Sequence, residues 1–301
     1  MCAAHDLEPF NKAIQSGDDR ALQHLLQQAP PDVLTATFSE TPTTFSVGRG
    51  FTLLQLAAFR RWRGRPARVL VQHGAIVDFH AACGMGPVTR VRAQLNSGAD
   101  GTSAIDTCVP LQFAIASGRA TIVSELLTAG EDPQRDLPRV CYFLWEHERM
   151  PPTPWKPIHM ATLWNYYDSS NGVLAALCDA GANPESASPL HGFRPLHLAA
   201  MSGNASSVRW LLQHGANVDS RTPQVPPIND VRSNDGPITG HDCTPLMVAA
   251  AEGWAECVNL LLTAGADPAA TNSQGHSALT FAQQAHWPGS RYDNVIDQLT
   301  A

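Results

Sequence analysis

RPLHLAAMSGNASSVRWLLQHGANVDSR, residues 194–221, is the stretch whose spacing decides the fold. Leu196, Ala199 and Ala200 stand at i, i+3 and i+4, and Val208, Leu211 and Leu212 repeat that spacing. Each set lays one apolar stripe along a short helix. Pro195 suits a first helical turn, where its missing N–H would have had no partner, and Gly203 separates the two stripes. Gly215 follows Leu212 where a left-handed cap closes a helix. The segment reads as helix, tight turn, helix, loop.

The same unit recurs as TPLMVAAAEGWAECVNLLLTAGAD (244–267) and VPLQFAIASGRATIVSELLTAGED (109–132). Divergent copies begin at TLLQLAAF (52–59), FHAACGM (79–85) and KPIHMATL (156–163). FNKAIQSGDDRALQHLLQQA (10–29) opens the series and SALTFAQQ (277–284) begins a closing copy. One helix pair cannot bury its stripe alone, so the copies must stack into a continuous core.

This pattern resembles the ankyrin repeat family, whose consensus contains TPLHxAA, a glycine before the second helix, and LLxxGAD. The resemblance covers nearly the whole chain. It implies an all-α solenoid of stacked helix-turn-helix units with hairpin-like fingers, forming a single domain over 1–301. Units are expected to start near 8, 52, 78, 109, 156, 194, 244 and 277. It also implies binding: a protein–protein interaction module or adaptor that engages its partner on the concave face of fingers and inner helices.

The connections are uneven. From the capping glycine to the next repeat's first core residue they run 13–15 positions normally, but three are longer by roughly 11, 14 and 17, and the one from Gly74 to Phe79 is only 5. The insertions are expected at 30–51, 134–155 and 222–243, all on one face, and the fifth copy carries extra residues in LWNYYDSSNG. Long loops in a compact fold are usually functional or disordered. No copy keeps both the consensus Thr and the His three positions later, so weakened hydrogen bonding between repeats is expected. His80, His159 and His197, at the consensus His position, are expected to be structural, as are His73 and His214 beside helix C-termini.

Candidate site residues cluster near the insertions. Tyr142, Phe143, Trp145, Trp155, Trp164, Tyr166 and Tyr167 fall within 26 residues of a chain that is only 7% aromatic. They fit a private mini-core for the long finger, or an aromatic wall for a partner or a flat organic ligand. RRWRGRPAR (60–68) holds Arg60, Arg61 and Arg63, a solvated end or a docking patch for an acidic partner. An alternative function is an enzyme whose fingers enclose a small-molecule pocket. Its acid–base groups would be His147 with Glu148, His191, and His241 with Asp242, because a carboxylate beside an imidazole orients it and raises its pKa.

Bulk properties narrow the classes. Hydrophobic content of 44% and charge of 16% describe a folded chain. The N-terminus MCAAHDLEPF lacks an apolar signal region and no long apolar run exists, so an intracellular, cytoplasmic protein without a membrane span is expected. The 7 cysteines are widely spaced and never CxxC, which reads as reduced thiols; no metal or cofactor is expected. Net charge is −7, yet residues 60–92 carry 7 arginines against Asp78, leaving the remainder strongly acidic. That balance disfavours nucleic acid as a partner.

Overall fold

Six of the stripes that open a repeat become helices of 7 residues. Their equal length follows from the shared spacing between the first core leucine and the inter-helix turn. The computed structural model describes residues 6–38, 50–59, 65–105, 108–137, 155–163, 170–188, 192–223, 242–285 and 290–301. In chain order the pairs are α1 (Glu8–Ser16) with α2 (Asp19–Gln28), and α3 (Leu53–Phe59) with α4 (Arg65–Gln72). Next come α5 (Phe79–Met85) with α6 (Val88–Asn96), and α7 (Pro110–Ala116) with α8 (Ala120–Thr128). The fifth and sixth are α9 (Pro157–Leu163) with α10 (Ser170–Asp179), and α11 (Pro195–Met201) with α12 (Ala205–Gln213). The last two are α13 (Pro245–Ala251) with α14 (Ala255–Thr263), and α15 (Ala278–Ala285) with α16 (Tyr292–Thr300). The fold is all-α, with isolated antiparallel bridges where the chain turns back on itself.

The expected caps are in place. Asp18 accepts from the Arg20 and Ala21 amides at the start of α2, and Asn204 from the Ser207 amide at the start of α12. The capping residues Gly74, Gly98, Gly130, Gly181, Gly215 and Gly265 all have φ between 84° and 102°, a backbone that favours glycine.

The described residues fall into two compact units, one of 1–160 with 175–182 and one of 161–174 with 183–301. In the first, α5 packs between α3 and α7 on the inner layer, while α2 lies on α4 and α6 on α8 in the outer layer. In the second, α13 packs between α11 and α15, and α14 between α12 and α16. Leu54, Leu111, Leu196 and Leu246 are at most 1% exposed, as the stripes required.

The expectation of weakened hydrogen bonding needs correction. In α3, α7, α9, α11 and α13 the third residue still accepts from the amide three residues before it, whatever its identity. Gln55 Oε1 accepts from Thr52 N at 2.7 Å, Gln112 Oε1 from Val109 N at 2.9 Å, and His159 Nδ1 from Lys156 N at 3.1 Å. His197 Nδ1 accepts from Arg194 N at 3.4 Å, and even Met247 Sδ lies 3.5 Å from Thr244 N. Glutamine offers the same acceptor at the same reach as imidazole, so the bond survives the substitution. The far end of the side chain then ties neighbouring repeats. Nε2 of His80 donates to Ser103 O and Nε2 of His197 to Cys243 O, both at 3.1 Å, and Gln55 Nε2 donates to Asp78.

The third repeat departs from the others. Its inner helix carries small residues (Ala81, Ala82, Gly84), so the neighbouring inner helices draw together over it. Phe59 of α3 and Phe113 of α7 meet edge to face at 4.8 Å, and Phe51 lies 5.3 Å from Phe113. A Cβ on Gly84 would stand 2.5 Å from the Ala58 carbonyl oxygen, so α5 rests on α3 backbone to backbone. Gly84→Ala should therefore destabilise the first unit by about 2 kcal/mol, read from urea unfolding. An unchanged midpoint would show that α3 and α5 can separate without cost.

Candidate interaction site at the finger bases

Each described finger, long or short, is closed at its base by backbone pairing. At the first, Phe38 N donates to Phe51 O at 3.0 Å and Gly50 N to Phe38 O at 2.8 Å. At the second, Leu137 and Trp155 exchange both bonds, at 2.7 and 3.0 Å. At the third, Thr222 N donates to Cys243 O at 3.1 Å and Cys243 N to Thr222 Oγ1 at 2.9 Å. The short finger between Ile105 and Cys108 is closed the same way, at 2.9 and 2.8 Å. Phe51, Leu137, Trp155, Thr222 and Cys243 are all buried. The apolar residue entering or leaving each finger is thus part of the repeat core. Within the first expected insertion Pro31–Leu34 forms a 3₁₀ turn, and Leu137 and Trp155, near the edges of the second, are buried.

Two of the expected site residues lie among those described. Trp155 is 3% exposed and packs edge-on against His159, with ring centroids 5.8 Å apart. Its indole is core at the finger base, because the hairpin pairing turns it onto the stack. Asp242 takes a left-handed backbone, φ 60°, which Asp tolerates better than most residues. Its carboxylate is engaged: Arg221 Nη1 donates to Asp242 Oδ2 at 2.9 Å, to Asp242 O at 3.2 Å and to Thr271 O at 2.8 Å. Tyr142, Trp145, His147, Glu148, Trp164, Tyr166, Tyr167, His191, His241 and Arg60, Arg61 and Arg63 lie outside the described residues.

Sequence reasoning missed the polar ties that run from finger to finger. Arg221 joins the base of the third insertion to the finger that follows. Glu185 accepts from the Arg194 side chain and, at 3.0 Å, from the Asn217 amide. Lys156 Nζ donates to Gln134 O at 2.7 Å and to Asp136 Oδ1 at 2.6 Å. Most partners are 20–50 residues apart, so no local pattern announces them. One substitution was legible: Glu131 stands where Ala75, Ala182, Ala216 and Ala266 are buried in other repeats. Burial raises the Glu131 pKa, with Arg135 opposing through a 2.9 Å ion pair.

The described cysteines form no disulfides. Burial, with Asp78 and Glu256 nearby, pushes the Cys83 and Cys257 thiols up to about 12, and burial with Asp179 pushes Cys178 up to about 11. Iodoacetamide at pH 8 should therefore label these three at least about 100-fold more slowly in the native chain than in urea, because the thiolate is the nucleophile. Equal rates, read by peptide mapping, would contradict the burial. Among the described residues no helix is long and apolar enough to cross a membrane.

The comparisons agree with this architecture. The sequence profile of ankyrin repeats in three copies matches residues 111–222, and the single ankyrin repeat profile matches 241–273. The putative palmitoyltransferase ZDHHC13 of Danio rerio is 26% identical over 238 residues, 79% of this chain and 28% of that protein. The E3 ubiquitin-protein ligase KEG of Arabidopsis thaliana is 33% identical over 113 residues, 38% of this chain and 6% of its own length. Ankyrin repeat and SOCS box protein 11 of Danio rerio is 38% identical over 100 residues, 28% of this chain and 34% of that protein. The chain thus spans about a third or less of these curated relatives. The crystal structure of the human ASB11 ankyrin repeat domain superposes with a TM-score of 0.51 at 21% identity, covering 97% of this chain and 96% of that one. Six first helices of one length, a row of left-handed glycine caps, fingers closed by backbone pairs and these matches together place the chain among the ankyrin repeat proteins.

Proposed function

We propose that the chain is a protein-interaction module whose inserted fingers carry the specificity for its partner. Ankyrin repeats generally bind proteins, and the observation that supports this version is the closure of all three inserted fingers on buried, paired residues. A closed base lets the residues between vary in length and composition without disturbing the repeat core, which is how recognition loops are carried on a scaffold. The aromatic set around Tyr142, Trp145, Trp164, Tyr166 and Tyr167 would supply the anchor residues of such a contact. Reduced thiols fit an intracellular setting.

The test is a finger exchange. Residues 138–154 are replaced by a two-residue link like that between Ile105 and Cys108, keeping Leu137 and Trp155. Affinity capture from the native lysate should yield a stoichiometric protein with the full chain and lose it with the shortened one. Equal recovery by both chains, with matched melting curves, would end the finger-specificity reading.

A further inference from the structure

The outer helices of the first unit do not stack evenly. α2 packs on α4 and α6 on α8, whereas α4 and α6 meet only weakly. This is the outer counterpart of the inner helices closing over the small residues of α5, and it coincides with the shortened connection from Gly74 to Phe79.

The repeats themselves show which side chains face that gap. Six residues before the capping glycine, Arg92 pairs with Glu125 on α8, and Arg209 reaches Glu256 on α14 at 3.7 Å. That position therefore faces the outer helix of the following pair. Arg68 holds it on α4, facing α6, but α6 (VTRVRAQLN) contains no carboxylate. Thr89 and Ala93 stand where Glu256 and Glu125 stand in the later helices. Eight residues before the cap, about 200° away around the helix, a side chain faces the preceding pair. Pro66, Ile122, Val173, Ser207 and Cys257 are buried there, but α6 presents an exposed Arg90.

Arg68 and Arg90 thus look into one gap from its two sides. Among the described residues neither has an ion-pair partner. Val71, three residues after Arg68 on α4, is 37% exposed, and Ile76, in the connection that follows α4, is 76% exposed; they are the only large hydrophobic residues exposed among those described. Two facing cations with no anion between them, next to uncovered apolar side chains, match an acidic chain with an apolar face. A phosphate backbone fits poorly, since it draws affinity from many contacts and the chain outside 60–92 is acidic.

We propose that the gap between α4 and α6 docks an acidic, amphipathic segment of a protein partner, with its carboxylates on Arg68 and Arg90 and an apolar side chain on Val71 and Ile76. The inference rests on the interaction reading but uses a face other than the fingers. The probe is a synthetic helical peptide with Glu on one face and Leu on the other, followed by fluorescence anisotropy with the full chain. Saturable binding is expected, weakened about tenfold by Arg68→Ala with Arg90→Ala and further by raised salt. Arg209→Ala in the second unit should change nothing. Ala93→Glu should also weaken binding about tenfold, by giving Arg68 the carboxylate that Arg92 finds in Glu125. Ala93 is exposed, so this variant should melt like the parent chain. Absent binding, or binding indifferent to the arginine pair, would overturn the proposal. So would tighter, arginine-dependent binding of a single-stranded DNA oligonucleotide or a phosphoinositide vesicle. The finger-shortened chain keeps α4 and α6 and should bind the peptide normally, so failure here is distinguishable from failure of the finger reading.

Discussion

Phe113→Ala should destabilise the first unit by about 3–5 kcal/mol, among the most damaging single truncations in this core. The ring is fully buried and sits where two inner helices meet across a third. It contacts Phe59 edge to face at 4.8 Å, Phe51 at 5.3 Å and His80 edge to face at 5.5 Å. Truncation removes the apolar burial and leaves a cavity between α3 and α7 that α5, already resting on α3 at Gly84, is too tightly seated to fill. Phe113→Leu, which keeps most of the volume, should cost only about 1–2 kcal/mol. Urea unfolding monitored by hydrogen exchange of peptides from α3–α7 separates the two. A loss below about 1 kcal/mol for the alanine variant would mean the aromatic cluster does not hold the inner layer together.

His197 should make the second unit acid-sensitive. The ring is fully buried, and burial foremost lowers its pKa to about 4, with Arg194 acting in the same direction against the Cys243 and Ser220 carbonyls. Its two bonds also require the neutral form, since Nε2 donates to Cys243 O while Nδ1 accepts from Arg194 N. The unfolded ring titrates near 6.5. Above that pH neither state binds the proton and the full stability is present. As pH falls from 6.5 to 4 the unfolded state takes up a proton that the folded state refuses, and about 3 kcal/mol is lost. His80, lowered by burial as well, adds a smaller loss of the same sign in the first unit. His197→Gln is the informative control, because Gln55 and Gln112 already fill that slot and keep the cap bond without titrating. Hydrogen exchange of α11–α14 at pH 7 and pH 4.5 should show the parent loosening by far more than the glutamine variant. Equal loosening would assign the acid sensitivity to other groups.

The chain's architecture was readable before any coordinates because its determinants are local. The i, i+3, i+4 leucines and alanines lie within one turn of each other, and the glycine closing each second helix answers a backbone requirement of that residue alone. The first helices of the pairs begin at Glu8, Leu53, Phe79, Pro110, Pro157, Pro195, Pro245 and Ala278. The structural role given to His80, His159 and His197 was likewise legible, since the slot repeats. The supposed loss of bonding was misread, because a letter change from His to Gln or Met hides an acceptor that stays in place.

What the sequence by itself determined is therefore the stripe, the cap and the period, and through them an all-α ankyrin stack with three enlarged fingers. The tertiary structure alone decided which of several identical-looking residues has a partner. Arg68, Arg92 and Arg209 occupy the same place in their repeats, but Glu125 and Glu256 pair with two of them while Arg68 has no ion-pair partner among the described residues. Trp155 fitted either a mini-core or an aromatic wall from the sequence, and the pairing with Leu137 at the finger base buries it. Both outcomes are set by residues 18–50 positions away in sequence. Such partners meet only when helices and hairpins have stacked, and a side chain's energy depends on what it then touches.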